Sequence, residues 1–303
     1  MSSVPPPPQF RPGAQAGAPA PAPAPAAAPP SAPPGRAGWP PWLSLAAFAA
    51  GFGITIVLGG VVIVGAGALG VSDNAAGLNI GLTLMQNVAL VGAAYAFAAL
   101  HGRPAAADFG LRPAPLWRSA GLLIAVWIGF FVLSAIWAAA LGLHEQQDLP
   151  DELGADGPLA NVLAVVVLIT VVAPLGEELF FRGFFFGALR NWRGPWLAAV
   201  LTGLVFGAIH VGSSPVGYLV PLAFFGIGLC LLYEWTGSLY PSIALHALNN
   251  SIALGANLHW SWQIPVMIVV SPPCALACAW LLGRVIGDGK RPEAVSAPAP
   301  GSV

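Results

Sequence analysis

The stretch APLGEELFFRGFFFGALR, residues 173–190, sets Glu177, Glu178 and Arg182 inside a run that is otherwise almost wholly apolar and aromatic. Two adjacent carboxylates and a guanidinium are among the costliest groups to hold in an apolar helix, and such residues usually face the interior of a helix bundle. Their setting decides the fold, because the rest of the chain is equally apolar. Only 8% of residues are charged and 57% are hydrophobic, whereas soluble domains carry roughly 25% charged residues. The composition reads as an all-α integral membrane protein. A formal net charge of −1 offers no basic stripe for phosphates, so nucleic acid is not an expected partner.

Eight apolar segments follow one another near 42–70, 78–100, 116–142, 159–190, 195–211, 215–233, 238–258 and 263–286. Each is of the order of a membrane span, which needs about 20 apolar residues. About eight transmembrane helices are therefore expected, with a polar cluster inside the bundle. The fourth segment, at roughly 48 Å of helix, is too long for one perpendicular span. It must tilt, break near Pro174 or project beyond the bilayer. The expected organisation is a disordered Pro/Ala-rich tail over 1–40, three spans and their loops over 41–158, a core over 159–258, a last span over 259–287 and a second tail over 288–303. The N-terminal tract lacks the charged and apolar regions of a cleavable signal peptide.

The basic residues Arg11, Arg36, Arg103, Arg112, Arg118, Arg190, Arg193, Arg284, Lys290 and Arg291 all fall on one face of an eight-span topology. The loop LHEQQDLPDELGADGP, with five acids and no base, falls on the other. The positive-inside rule then places both termini in the cytoplasm. A single lysine among eleven basic residues, with abundant Ala, Gly and Pro, reads as the mark of a GC-rich genome, and so as a bacterial cell membrane. Cys230, Cys274 and Cys278 lie in apolar segments without a CxxC and read as small apolar side chains. Tryptophans such as Trp39, Trp42, Trp117, Trp192, Trp196, Trp235, Trp260 and Trp262 cluster near span ends, as an interfacial belt would. Gly59, Gly60, Gly65 and Gly67 in the first span read as tolerated flexibility.

Strongly polar groups left at membrane depth are Glu177, Glu178, Arg182, His210, His246, Asn249 and Asn250, while His101, His144 and His259 fall at span ends or in loops. Helical rise puts Glu177 about 20 Å below the Arg190 edge, His210 about 22 Å in, His246 about 12 Å and Asn250 about 18 Å. Three helices far apart in sequence thus carry polar groups to overlapping depths. Glu178 and Arg182 are four residues apart and can pair, which leaves Glu177 without that partner. A carboxylate out of water beside histidine suits general-base activation of water. His246 and Asn250 share a helix face and can donate to a developing oxyanion. No serine, cysteine or threonine stands out as a nucleophile. Glu177, His210 and His246 could equally supply the ligands of a zinc ion with an open position, although no HExxH helix is present. A non-proteolytic scaffold or immunity partner, or an ion relay, would use the same cluster differently.

EELFFR at 177–182 fits EExxxR, FGAIH at 206–210 fits FxxxH and HALNN at 246–250 fits HxxxN. In this order on successive helices they resemble the CPBP group, the type II CAAX prenyl proteases and bacteriocin-processing or self-immunity homologues also called the Abi family. The likeness covers roughly 159–258, with DFGLR at 108–112 a similar loop before the third span. The resemblance implies an intramembrane endopeptidase acting on a membrane-associated protein or peptide. It implies that Glu177 activates water with His210, that His246 and Asn250 hold the scissile carbonyl and its oxyanion, and that Glu178 and Arg182 support them. The family has carried a metalloprotease label and is also described as glutamic. A bacterial source would make a prenylated substrate unexpected.

Overall fold

The computed structural model describes residues 37–72, 75–143 and 157–288. Most of both expected tails, the acid-rich loop over 144–156 and His144 lie outside the described residues. Among those described there are helices and turns but no strand.

Six helical stretches are long and apolar enough to cross a membrane, and the chain is an all-helical membrane protein. They are α1 (Trp42–Ala68), α2 (Ala76–Ala99), α3 (Leu116–Leu141), the 50-residue run Leu159–Ala208, a stretch Val216–Thr236 and the last helix, Gln263–Ile286. The long run is two helices. Arg193 (φ −130°, ψ 15°) and Gly194 (φ 80°, ψ 174°) break it, a conformation that glycine adopts without the strain a side chain would add. Pro195 then opens the next helix, where its missing N–H costs nothing. We name the parts α4 (159–192) and α5 (195–208). They are followed by α6 (Leu219–Thr236), α7 (Tyr240–Asn257) and α8 (Gln263–Ile286). Helix α7 is not among the six apolar stretches, because His246, Asn249, Asn250 and Asn257 dilute it. It packs instead on α6, α8 and the first half of α4. Eight helices thus occupy the eight expected segments, with ends shifted by a few residues.

α4 organises the bundle. Every residue over 178–190 is buried, and Phe180, Phe181, Phe184, Phe185 and Phe186 are at most 1% exposed. The helix does not break near Pro174. It widens into π-helical turns over Leu168–Val172 and Glu178–Phe186. The first wide turn gives the proline ring room beside the carbonyl one turn earlier, where a regular helix would clash.

A loop between α2 and α3 fastens one end of the bundle. The 3₁₀ turn Ala106–Phe109 is closed by the Asp108 carboxylate, which accepts from the Ala105 N–H at 2.9 Å. Leu239 N–H donates to Gly110 O at 2.8 Å and Ala106 N–H to Gly287 O at 3.0 Å. Arg112 donates to Gly237 O at 2.5 Å, and the Ser238 hydroxyl donates to Arg112 O at 2.5 Å. The α6–α7 turn and the end of α8 are tied to the DFGLR loop in this way. Trp39 belongs to this end too, and not to an interfacial belt. It is 4% exposed, with its ring 5.3 Å from Phe109 and 5.0 Å from Phe184. Trp42, Trp117, Trp192, Trp196, Trp235 and Trp262 remain exposed.

Helices α5 and α6 meet through glycines. A Cβ on Gly203 would come 2.7 Å from Ala223 O, one on Gly207 2.5 Å from Leu219 O, and one on Gly226 2.8 Å from the Gly203 Cα. Gly60, Gly65 and Gly67 of α1 have nothing within 4 Å, in keeping with their reading as tolerated glycines. Gly207→Ala should therefore destabilise the purified protein by about 1–3 kcal/mol through overpacking, whereas Gly60→Ala should be neutral or slightly stabilising. Thermal unfolding in detergent, run on both variants, checks the contrast.

Candidate active site

Arg182 and Glu178 are both 0% exposed, with guanidinium Nη1 2.7 Å from carboxylate Oε1. The pair forms as its four-residue spacing predicts, but it is not closed on itself. The same Oε1 lies 2.8 Å from His246 Nδ1, so one buried carboxylate oxygen joins α4 to α7. A carboxylate paired with a guanidinium accepts hydrogen bonds only. Nδ1 therefore carries the proton it donates, and Nε2 is turned to the other side. There it stands 3.8 Å from Glu177 Oε2, too far for a direct hydrogen bond and suited to a bridging water. Glu177, read from the sequence as the carboxylate without a partner, thus faces the histidine that Glu178 holds.

Phe206 packs this network from α5. The Arg182 guanidinium carbon lies 4.3 Å above its ring centre, close enough for a cation–π attraction. Its ring is 5.0 Å from His210 and 5.8 Å from His246. The two ends of the FGAIH stretch are therefore stacked as expected for residues one turn apart. His210 itself lies just past the end of α5, with Nδ1 2.7 Å from Phe206 O. Since a carbonyl only accepts, Nδ1 is the protonated nitrogen and Nε2 is free to accept.

Asn250 is anchored by the widened turn of α4. Its Nδ2 donates to Ile169 O at 3.0 Å. In a regular helix that carbonyl would bond to the N–H of Ala173, but Ala173 N–H is used by Leu168 O across the π turn. The next N–H in line would belong to Pro174, which has none. Proline and π turn together release one carbonyl, and Asn250 takes it. One N–H and the oxygen of the Asn250 amide remain for other partners.

Glu177, His210, His246, Asn249 and Asn250 line one cavity of about 350 Å³. Glu178 and Arg182 stand behind it and do not line it. The wall also includes Thr83, Gln86 and Asn87 of α2, which sequence reasoning passed over. A signal was present: these polar residues recur at positions i, i+3 and i+4 of an otherwise apolar span, one stripe of a helix. Among the described residues no group of three or more His, Cys, Asp or Glu side chains is arranged to hold a metal ion. Glu177, His210 and His246 share the cavity but are not grouped closely enough to hold a metal as they stand.

Removing one member of the Glu178–Arg182 pair leaves a buried charge uncompensated. Glu178→Leu or Arg182→Leu alone should cost about 3–5 kcal/mol. The double variant should recover part of that loss while leaving His246 without its anchor. Unfolding of the three proteins in detergent measures the difference.

Comparison with known proteins finds a family and a few distant relatives. Residues 159–252 match the family described as type II CAAX prenyl endopeptidase Rce1-like. An Escherichia coli "Uncharacterized 24.3 kDa protein" is 28% identical over 44% of this chain and 60% of its own length. The Lactococcus lactis "UPF0177 protein YxdF" is 26% identical over 29% of this chain and 48% of its own. The Bacillus subtilis "Putative membrane peptidase YdiL" is 24% identical over 30% of this chain and 36% of its own. The chain thus spans less than two thirds of each of these relatives. No solved structure gives a significant match.

Proposed function

We propose that this chain, whose residues 159–252 belong with the type II CAAX prenyl endopeptidase Rce1-like family, is an intramembrane endopeptidase that hydrolyses a peptide bond with directly activated water. The observation that carries the reading is the pairing of Glu177 with His246 across 3.8 Å, on the wall of a cavity, with the charge that fixes the histidine buried behind it. Glu177, assisted by the free Nε2 of His210, takes a proton from the attacking water. The hydroxide oxygen bonds to the scissile carbonyl carbon, and the proton passes on to the leaving nitrogen as the peptide bond breaks. In its protonated form His246 donates from Nδ1 to Glu178 and from Nε2 to the oxyanion. The remaining N–H of Asn250 donates to the same oxygen. Donors fixed in advance against a developing oxyanion are commonly the largest catalytic contribution. Here Glu178 fixes one and Ile169 O the other.

The substrate on this reading is a membrane-associated protein or peptide, with no need for a prenyl group. The enzyme works in a bacterial cell membrane with both termini in the cytoplasm. Arg190, which pairs with Glu234 at 3.0 Å, lies at the same end of α4 as Asn191, whose amide donates to Ala37 O at 2.9 Å. The basic loops and the start of α1 therefore share one end of the bundle, as that orientation requires.

Glu177→Gln keeps the shape of the side chain and removes the base. General-base catalysis contributes typically 10²–10⁴-fold, so kcat on a cleaved peptide should fall by about that factor, with folding unchanged. Comparing the proteins of membranes that contain wild type or Glu177→Gln should reveal products with new termini only in the former. Identical products from both would overturn the assignment of the base. Biological function retained by the variant without cleavage would point to a scaffold or immunity role.

A further inference from the structure

Which side of the membrane the cavity faces is set by two features that the reaction itself does not use. The first is where the cavity ends. From Glu177 its wall runs to Val211, Gly212, Ser213 and Ser214, the turn that follows α5. The Ser213 and Ser214 N–H groups both donate to His210 O, at 3.1 and 3.0 Å, so the turn folds over the histidine, and Val211 is 66% exposed. Asn257, the last residue of α7, lines the same mouth. In the other direction α4 is closed. Every residue from Glu178 to Arg190 is buried, about 18 Å of helix filled by Phe180, Phe181, Phe184, Phe185 and Phe186.

The second feature is charge. At the closed end Arg190 pairs with Glu234, Arg112 donates to Gly237 O and Arg284 occupies the last turn of α8. Arg103, Arg118 and Arg193 lie in the connections and helix starts of that end too. Among the described residues the mouth end has no lysine or arginine. It is the end where α3 finishes, since the Trp137 indole N–H donates to Gly217 O at 2.8 Å and a Cβ on Gly217 would meet Leu143 at 2.6 Å. After Leu143 the sequence enters HEQQDLPDELGADGP, five acids and no base before α4. Lys and Arg beside membrane spans are retained in the cytoplasm, whereas acids contribute little to orientation. The closed, basic end is therefore the cytoplasmic one, and the mouth is at the other.

We propose that the active site opens away from the cytoplasm and that its substrate is the exported part of a membrane-anchored protein, cut next to its anchor. This rests on the endopeptidase reading and the orientation given with it, and names the substrate class of that same site. The length of α5 explains the preference for an anchored substrate. Residues 195–208 rise about 21 Å, whereas the hydrocarbon core is about 30 Å thick. The mouth turn that follows α5 is thus recessed about 9 Å below the outer surface, where a segment beside a membrane span reaches it directly. A chain that stays in the cytoplasm meets only the packed half of α4.

Two exposed positions outside the cavity wall report its direction. Val216, in the mouth turn, is 78% exposed, and Trp192, at the closed end, is 52% exposed. Val216→Cys and Trp192→Cys are introduced one at a time into the full-length protein carrying Cys274→Ala and Cys278→Ala, with the buried Cys230 left in place. Spheroplasts and inverted vesicles from the same bacterial cells are then treated with a membrane-impermeant maleimide. Val216→Cys should react at least tenfold faster in spheroplasts, and Trp192→Cys at least tenfold faster in inverted vesicles. The reverse pattern, equal rates, or no reaction of Val216→Cys from outside would overturn the proposal. In cells with wild type or Glu177→Gln, each protein end that only wild type produces is mapped onto the topology of its parent. These ends should lie on the exported side, next to a membrane span. Ends on the cytoplasmic side, or far from any span, refute the substrate class. A complete lack of Glu177-dependent ends would remove the endopeptidase reading, and the maleimide rates would still decide which way the cavity opens.

Discussion

The carboxylate oxygen of Glu178 that meets both Arg182 and His246 is the constraint on which the rest of the structure depends. Three ionisable groups on two helices share one hydrogen-bonded node, Glu178 and Arg182 with no exposure to solvent and His246 exposed only towards the cavity. Desolvating charge is expensive, and a buried pair persists only where further hydrogen bonds complete it. Gly226 O receives a second bond from Arg182 at 3.3 Å, and Phe206 covers the guanidinium face. The glycine seam between α5 and α6 brings both of these groups close enough to do so. The fold around α4 can thus be understood as the shell that makes this node tolerable.

The same node explains why the cavity is asymmetric. On its buried side Glu178 holds Nδ1 of His246, and on its open side Nε2 looks across to Glu177. An imidazole fixed at one nitrogen has its orientation and tautomer set for the other. Asn250 is fixed by a different device, the Ile169 carbonyl released where Pro174 meets a π turn. π-helical turns often occur at functional sites, and here the structural reason is specific. The wide turn exposes a backbone acceptor that a regular helix would consume.

Much of the fold was legible in the sequence because lipid solvent makes hydropathy a strong signal. The last helix runs over the expected 263–286, and the break between α4 and α5 falls at Gly194 and Pro195, a readable stop and start. Helix α7 was recognised as an apolar segment over 238–258 despite the polar residues it carries. The depths of Glu177, His210, His246 and Asn250 followed from helical rise, and the four line one cavity. What the sequence withheld was direction across helices. Rise along a segment says how deep His246 lies but not that it bridges Glu177 and Glu178. The π turns were hidden because Pro174 predicts a disturbance without its form. Asn87 was missed because a lone polar stripe on α2 gains meaning only when α4 packs against it. Trp39 was misplaced because a tryptophan near a span end gives the same signal whether it meets headgroups or Phe109 and Phe184.

The central claim is that water, held between Glu177 and His246, attacks the peptide directly. The most direct measurement is single-turnover cleavage in heavy-oxygen water with hydroxylamine present. Direct attack predicts that the new carboxyl group carries one heavy oxygen and that no hydroxamate forms, because no side chain is ever acylated. Hydroxamate among the products would require an acyl-enzyme and would contradict the account.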